Sequence, residues 1–303
     1  MNPSSPLIKA FYKLFAHDKW NIGYLYQTPE SLIQSKKLNG PINWFKEDKA
    51  DYSADPFAVK IKGNTYLYYE ELNFWKGKGE IMMLDCLNFK NKKRVSGIMK
   101  QQVHLSYPHI IKENNDLYCI PETSAAQQIA LYKVDKEAPT IFKKIKVVLK
   151  GSEFVDSSII KYGGKYWLFT SISKKPDHLY IFSADSLLGM FKPHSLNPIK
   201  VEPCLSRSAG GLFIVDNRLY MPSQNHQKCY GGSIIINEIT LLNQTEFKYT
   251  SAFEILPQLP YGEGLHTINF SEGLLLVDGK RKVFSSLAPV KKLVKKLRLA
   301  YNL

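Results

Sequence analysis

The chain has 303 residues, is 44% hydrophobic and carries a formal net charge of +14. That length suits one large all-β domain or two smaller ones, and the composition is that of a soluble globular protein. No apolar run is long enough for a transmembrane helix, and no helix-turn-helix, zinc-finger or aromatic RNP pattern accompanies the charge. Nucleic acid is therefore an unlikely partner, and an anionic membrane surface or an acidic ligand fits the charge at least as well.

Near the N-terminus, Leu7, Ile8, Phe11 and Tyr12 are interrupted by Lys9 and Lys13, unlike the apolar core of a secretory signal. Cys86, Cys119, Cys204 and Cys229 are widely spaced, which predicts reduced, buried thiols rather than a disulfide framework. Both readings point to the cytoplasm. Residues 5–16 predict a short helix with Leu7, Phe11, Leu14 and Phe15 on one face. Residues 20–27 read as a strand, and 28–50 as a loop or a short helix.

From Asp55 onward one unit recurs: a short apolar strand, a tight turn, an aromatic-rich strand and a polar end. The first unit runs from Asp55 to Glu70 and turns at Gly63-Asn64, residues that tolerate the positive φ of a hairpin. Further units start at Tyr107, Asp156, Ala209 and His266, at spacings of 52, 49, 53 and 57 residues. Each is followed by another strand candidate: Glu80–Cys86, Ile129–Val134, Leu179–Ala184, Ser233–Ile239 and the weaker Lys282–Ser285. A period near 50 residues predicts an all-β fold, a five-bladed β-propeller with short terminal helices. The strand at 20–27 would complete the last blade. A β-sandwich with regular hairpins is the rival, but it does not explain the period.

The expected organisation is a helical extension over 1–19, the propeller over 20–286 and a basic amphipathic helix over 287–303. In that last helix Val290, Leu293, Val294, Leu297 and Tyr301 share a face, and Lys291, Lys292, Lys295, Lys296 and Arg298 cover the rest. It either lies on an anionic membrane, peripheral on the inner surface, or docks on the propeller with its lysines in water.

Equivalent repeat positions converge on a propeller axis. The first position reads Asp55, Tyr107, Asp156, Ala209 and His266; the last position of the second strand reads Glu70, Glu122, Ser171 and Gln224. Paired carboxylates across such a pocket suit acid–base work at an anomeric carbon. A lone Asp is more simply a turn residue binding a nearby backbone N–H. The shared register of Asp55 and Asp156 favours the functional reading. His104, Tyr107 and His109 are expected to line the same mouth, although His104 and His109 lack the companion spacing of a metal site. Arg207 beside Gly210 and Gly211 is expected to hold an anion against exposed N–H groups. Gln224, Asn225, His226 and Tyr230 would supply neutral hydrogen bonds. His266 is either an axial ligand or a satisfied core histidine. No metal and no cofactor are expected.

Ala54 to Phe57, the block from His104 to His109, Pro121-Glu122, Asp156, the stretch from His194 to Pro198 and Gly264 to Thr267 together resemble a known family. It is the N-terminal domain of plant glucosamine inositolphosphorylceramide transferases and its free-standing bacterial relatives, and the resemblance covers roughly 20–285. The resemblance implies a five-bladed propeller related to arabinanases, levansucrases, invertases and glycoside hydrolase family 43. In those hydrolases a blade-one Asp is the general base and a further Asp tunes the acid; Asp55 and Asp156 match these positions. The hydrolase acid on blade four has no match at Arg207 to Ala209, and Glu122 is the substitute candidate. The plant proteins carry a separate glycosyltransferase domain that this sequence lacks.

Two functions follow. One is a glycan-active enzyme, hydrolase-like or transferring, in surface-polysaccharide or glycolipid biosynthesis. Asp55 would be its base, Glu122 its acid and Asp156 the orienting carboxylate, with Glu70, His104, Tyr107, His109, Arg207, Gln224 and His266 binding substrate. The other is a non-catalytic carbohydrate-binding propeller that serves a partner glycosyltransferase.

Overall fold

The computed structural model describes residues 6–301 apart from 48, 49, 74, 76, 86–90 and 100–102, and leaves the side chains of 7–9 and 295–301 undescribed. Five antiparallel sheets follow one another along the chain. Blade one holds strands Tyr52–Ile61, Asn64–Asn73, Lys78–Asp85 and Lys93–Arg94. Blade two holds Ser106–Glu113, Asp116–Glu122, Gln128–Val134 and Phe142–Lys150. Blade three is built on Phe154–Tyr162, Lys165–Ile172 and His178–Ala184. Blade four follows with Phe213–Val215, Arg218–Asn225, Ser233–Leu242 and Phe247–Ile255.

Blade five closes the ring. Its inner strands are Ile268–Ser271 and Leu274–Phe284, and its third is the N-terminal strand Ala16–Tyr26, paired without interruption from Ala16–Phe284 to Tyr26–Leu274. The N-terminal strand therefore starts four residues earlier than its sequence suggests. Lys282–Ser285 is not a separate strand: residues 282–284 continue the second strand of blade five, and the N-terminal strand takes the place a third would have. Residues 29–35 form a helix capped by the Thr28 side chain.

The turns explain the repeat. Lys62 and Gly63 both have positive φ, as do Gly163 with Gly164, Asp216 with Asn217, and Glu272 with Gly273. Two successive positive φ values are what a two-residue hairpin turn requires. In the first hairpin the turn lies on Lys62-Gly63, one residue before the predicted Gly63-Asn64.

Packing is radial. The described residues contain five buried clusters, and each fills the gap between consecutive blades. One joins Val59, Tyr68 and Ile81 of blade one to Cys119, Ala130 and Tyr132 of blade two. Another joins Ile22 and Leu276 of blade five to Leu67, Tyr69 and Leu84 of blade one, sealing the ring. A blade alone would leave both faces wet, so the ring folds as one unit.

Cys119 and Cys204 are buried thiols as expected, Cys229 is exposed instead, and Cys86 lies outside the described residues. Helices Pro6–Phe15 and Ala288–Tyr301 flank the ring. Among the described residues, no helix is long and apolar enough to cross a membrane.

Candidate functional site: a carboxylate cluster on the propeller axis

The first repeat position has a conformation that sequence alone does not give. Asp55, Tyr107 and Asp156 all have left-handed backbones, with φ of 52°, 44° and 45°. Each sits in a β-bulge, where pairing jumps from Ala54 to Phe57, from Ser106 to His109 and from Val155 to Ser158. Non-glycine residues in this region are strained, and such strain gathers at functional sites. Aspartate tolerates it through its short polar side chain. Tyr107 is held there by its hydroxyl, 2.8 Å from Ser158 Oγ and accepting the Gly210 N–H at 3.0 Å.

The bulges turn backbone N–H groups inward, where carboxylates of the preceding blade accept them. Asp278 of blade five accepts the Asp55 N–H at 3.2 Å. Asp55 accepts the Tyr107 N–H at 3.2 Å, and Glu122 accepts the Asp156 N–H at 3.0 Å. These links run from blade five to one, one to two and two to three. The carboxylates are thus satisfied by the backbone, as the simple turn-residue reading requires, but across blades rather than locally.

Two cations balance the cluster. Arg207 Nε donates to Asp156 Oδ2, and Gln224 Nε2 donates to the same oxygen at 2.7 Å. His266 Nδ1 lies 2.6 Å from Asp278 Oδ2, an ion pair without in-line hydrogen-bond geometry, and its Nε2 lies 3.7 Å from Asp55 Oδ1. Asp55 Oδ1 also accepts the Thr267 hydroxyl at 2.6 Å. Trp20, itself buried, covers the imidazole at 4.2 Å between centroids.

The environments split the proton affinities. Burial, reinforced by the charge of Asp156, pushes Glu122 up to about 8. Burial likewise raises Asp55 to about 7, opposed by His266 and reinforced by Asp156 and Glu70. Burial also acts to raise Asp156, but the Arg207 charge and hydrogen bond outweigh it and hold that carboxyl below its usual range. Burial disfavours charge on His266, yet Asp278 and Asp55 outweigh it and raise the imidazole to about 9. A protonated Glu122 beside an ionised Asp156 is a division of roles that acid–base sites use.

Stability therefore depends on pH. The raised folded-state pKa of His266 means its contribution is full below about 6.5 and is lost as pH climbs through about 9. The raised carboxyls Asp55 and Glu122 act with the same sign, losing their contribution between about 4 and their folded values of about 7 and 8. We expect Tm to fall by about 5 °C or more between pH 6.5 and 9, and His266→Gln to flatten that fall. Calorimetry across the range checks this; a flat or rising Tm would mean that His266 is not a buried cation.

The other expected residues divide. Glu70 and His104 pair at 3.1 Å, and His104 Nδ1 accepts the Gly79 N–H, so its Nε2 carries the proton toward Glu70. Gln224 reaches the cluster, but not by the register read from sequence. Ser208 pairs with Ser223 in blade four, so Ser223, not Gln224, matches the register of Glu70, Glu122 and Ser171. His109 does not line the mouth: it is buried, its Nε2 accepts the Ile159 N–H at 3.1 Å, and burial lowers it to about 4. The Tyr107 ring is also fully buried. The anion cradle at Gly210 and Gly211 is not open. Gly210 N–H goes to Tyr107 and Gly211 N–H goes to Asn269 Oδ1 at 2.7 Å, and Arg207 donates its Nε to Asp156.

Polar atoms without a protein partner gather beside Arg207. They are Gln224 Oε1, Ser208 Oγ and His226 Nε2, with Tyr230 stacked on His226 at 5.1 Å and under the Arg207 guanidinium at 5.6 Å. Of these groups Tyr230 is half exposed, and its face is of the kind that stacks on a sugar.

Asp278 is the main residue that sequence reasoning missed. The signal was an acid ending the apolar run Leu274 to Val277. Donor atoms of Asp55, His266 and Asp278 lie within 4.8 Å of one another, a spacing open to a metal ion. Asp278 Oδ1 already accepts the N–H groups of His266 and Thr267, and the imidazolium supplies the positive charge, so the trio is complete as an ion-pair network.

A ring of five antiparallel blades, four of them four-stranded and blade three five-stranded, around an axial carboxylate cluster defines a propeller of the kind found in glycoside hydrolases. The α-L-arabinofuranosidase of Podospora anserina, solved with cellotriose, matches with a TM-score of 0.56 at 10% identity, over 77% of this chain and 81% of that one. A family 117 glycoside hydrolase of Zobellia galactanivorans matches with a TM-score of 0.51 at 12% identity, over 88% and 91%. At such identities the likeness is one of fold. The chain belongs to the family described as Glucosamine inositolphosphorylceramide transferase 1, N-terminal, whose model matches residues 45–257. The protein named Glucosamine inositolphosphorylceramide transferase 1 of Oryza sativa subsp. japonica is 31% identical over 209 residues, 66% of this chain and 28% of that protein. The chain thus spans under a third of the length of that relative.

Proposed function

We propose that the protein is a glycan-active enzyme that breaks or transfers a glycosidic or activated-sugar bond in surface-polysaccharide or glycolipid biosynthesis. The observation that carries this reading is the split pair on the axis: Glu122, raised to about 8, against Asp156, held ionised by Arg207. The Glu122 carboxyl would give its proton to the departing oxygen as the anomeric C–O bond breaks. The Asp55 carboxylate would take the proton of the attacking water or sugar hydroxyl as the new C–O bond forms. Asp156 orients Glu122 and keeps it protonated by its own charge. Gln224, His226 and Tyr230 would bind the sugar. The family's name, that of a transferase acting on a glycolipid, supports the substrate class.

The second reading is a carbohydrate-binding propeller that serves a partner glycosyltransferase. The blade-to-blade N–H bonds of Asp278, Asp55 and Glu122 favour it, since they give these three carboxylates structural work. Asp55→Asn separates the two. Its amide oxygen can still accept the Tyr107 N–H, so ligand binding should persist while turnover of a sugar donor or oligosaccharide falls about 100-fold or more. Turnover that survives the change excludes Asp55 as the base. Glycan binding by the wild type without turnover of any donor supports the binding module.

A further inference from the structure

The two terminal helices are arranged opposite to a docked amphipathic helix. In Ala288–Tyr301 the described lysines face protein: Lys291 Nζ pairs with Asp51 at 2.6 Å, and Lys292 Nζ bonds the carbonyls of Lys13 and Ala16 at 2.6 Å. Leu287, Val290 and Leu293 face water instead, 53%, 47% and 56% exposed, while Ala288 is buried and Val294 half-buried. The N-terminal helix continues this surface with Phe11 at 53% and Leu14 at 49%, and Phe284 at 50% stacks on Phe11. Of the expected apolar faces, the side chains of Leu7, Leu297 and Tyr301 lie outside those described, as do those of Lys295, Lys296 and Arg298.

Charge selects the occupant. Neither helix contains an Asp or Glu, whereas they contain Lys9, Lys13, Lys291, Lys292, Lys295, Lys296 and Arg298. Between them lies a cavity of about 390 Å³ whose lining includes Lys13, Lys282, Lys291 and Lys292 against one acid, Asp18, which sits 3.9 Å from Lys282. Apolar side chains rimmed by cations, beside a basic hollow the size of a head group, suit an anionic bilayer. A neutral protein groove would not need so basic a rim, and an acidic protein partner would bind without a preference for anionic over neutral vesicles.

Position ties this surface to the axis. The second strand of blade five passes the site at Asp278 and runs on to Phe284, about 20 Å further at strand rise. Asp51, which anchors Lys291, precedes Asp55 by four residues. The helices therefore stand on the side of the ring where the carboxylates open.

We infer that the paired terminal helices dock this face on an anionic lipid surface, with a lipid head group in the basic cavity, and so turn the axial site toward membrane-borne substrate. The docking goes beyond the proposed chemistry and needs no turnover to be measured, so either can fail without the other.

The test is cosedimentation of the full chain with phosphatidylcholine vesicles, with and without about one-third phosphatidylglycerol. Two double variants accompany it: Phe11→Glu with Leu293→Glu, and Lys13→Glu with Lys282→Glu. These side chains are half or more exposed, apart from the otherwise surface-lying Lys13, and retained Tm confirms folding. Binding should favour the anionic vesicles at least about tenfold, fall as salt rises, and drop at least about tenfold in each variant. Equal affinity for neutral vesicles, no sedimentation with either, or unchanged binding in both variants would overturn it. So would a dimer in light scattering that Phe11→Glu with Leu293→Glu abolishes, in a chain that does not bind vesicles.

Discussion

Glu122→Gln is expected to lower turnover about 10²–10⁴-fold, the usual worth of a positioned general acid, with little change in Tm. Glutamine keeps an oxygen for the Asp156 N–H, which Glu122 now accepts at 3.0 Å, and its amide can donate toward the Asp156 carboxylate as the protonated acid would. What it lacks is a transferable proton. The wild-type rate should follow a narrow bell in pH. The acid limb reports Asp55, which must be ionised and is raised to about 7; the alkaline limb reports Glu122, which must be protonated and is raised to about 8. Residual activity of the variant should lose the alkaline limb. A variant with wild-type rate and profile would remove Glu122 from the chemistry.

The second large effect is on stability. Asp278→Ala should cost about 3–5 kcal/mol in urea unfolding, because it breaks a buried charge pair by deleting one partner. Asp278 is fully buried and lies against the His266 imidazole at 2.6 Å. It accepts three backbone N–H groups, those of His266, Thr267 and Asp55. Without it, a protonated imidazole and three donors are stranded beneath Trp20. The loss falls where blade five meets blade one, so ring closure itself weakens. A cost under about 1 kcal/mol would mean that the His266–Asp278 pair is not what fixes that junction.

The blades were legible because local chemistry writes them. Turn residues with paired positive φ, such as Gly163-Gly164 and Asp216-Asn217, punctuate apolar strands at a steady interval. The register of Asp55 and Asp156 was legible for the same reason, and both reach the axis. The partners of those acids were not legible. Asp55 meets Thr267 and Asp278, and Asp156 meets Arg207 and Gln224, through contacts that exist only once the ring has closed. The bulges that strain Asp55, Tyr107 and Asp156 leave no residue signature beyond the aspartates themselves. Blade four breaks the pattern by one residue at Ser208 and Ser223, which is why Gln224 stood in the right place for the wrong reason. The C-terminal helix was legible as helix and as amphipathic, but its orientation depends on Asp51 and on the carbonyls of Lys13 and Ala16, all distant in sequence.

Glu122 is expected to stay protonated at neutral pH beside an ionised Asp156. Infrared titration of the carboxyl C=O stretch, wild type against Glu122→Gln, measures this directly. In the difference between wild type and the Gln variant, which cancels the contribution of Asp55 and the other carboxyls, a protonated-carboxyl band should persist at pH 7 and vanish through about 8. A spectrum with no Glu122-dependent band above about pH 5 would contradict it, placing that carboxyl in the ordinary range of an exposed glutamate.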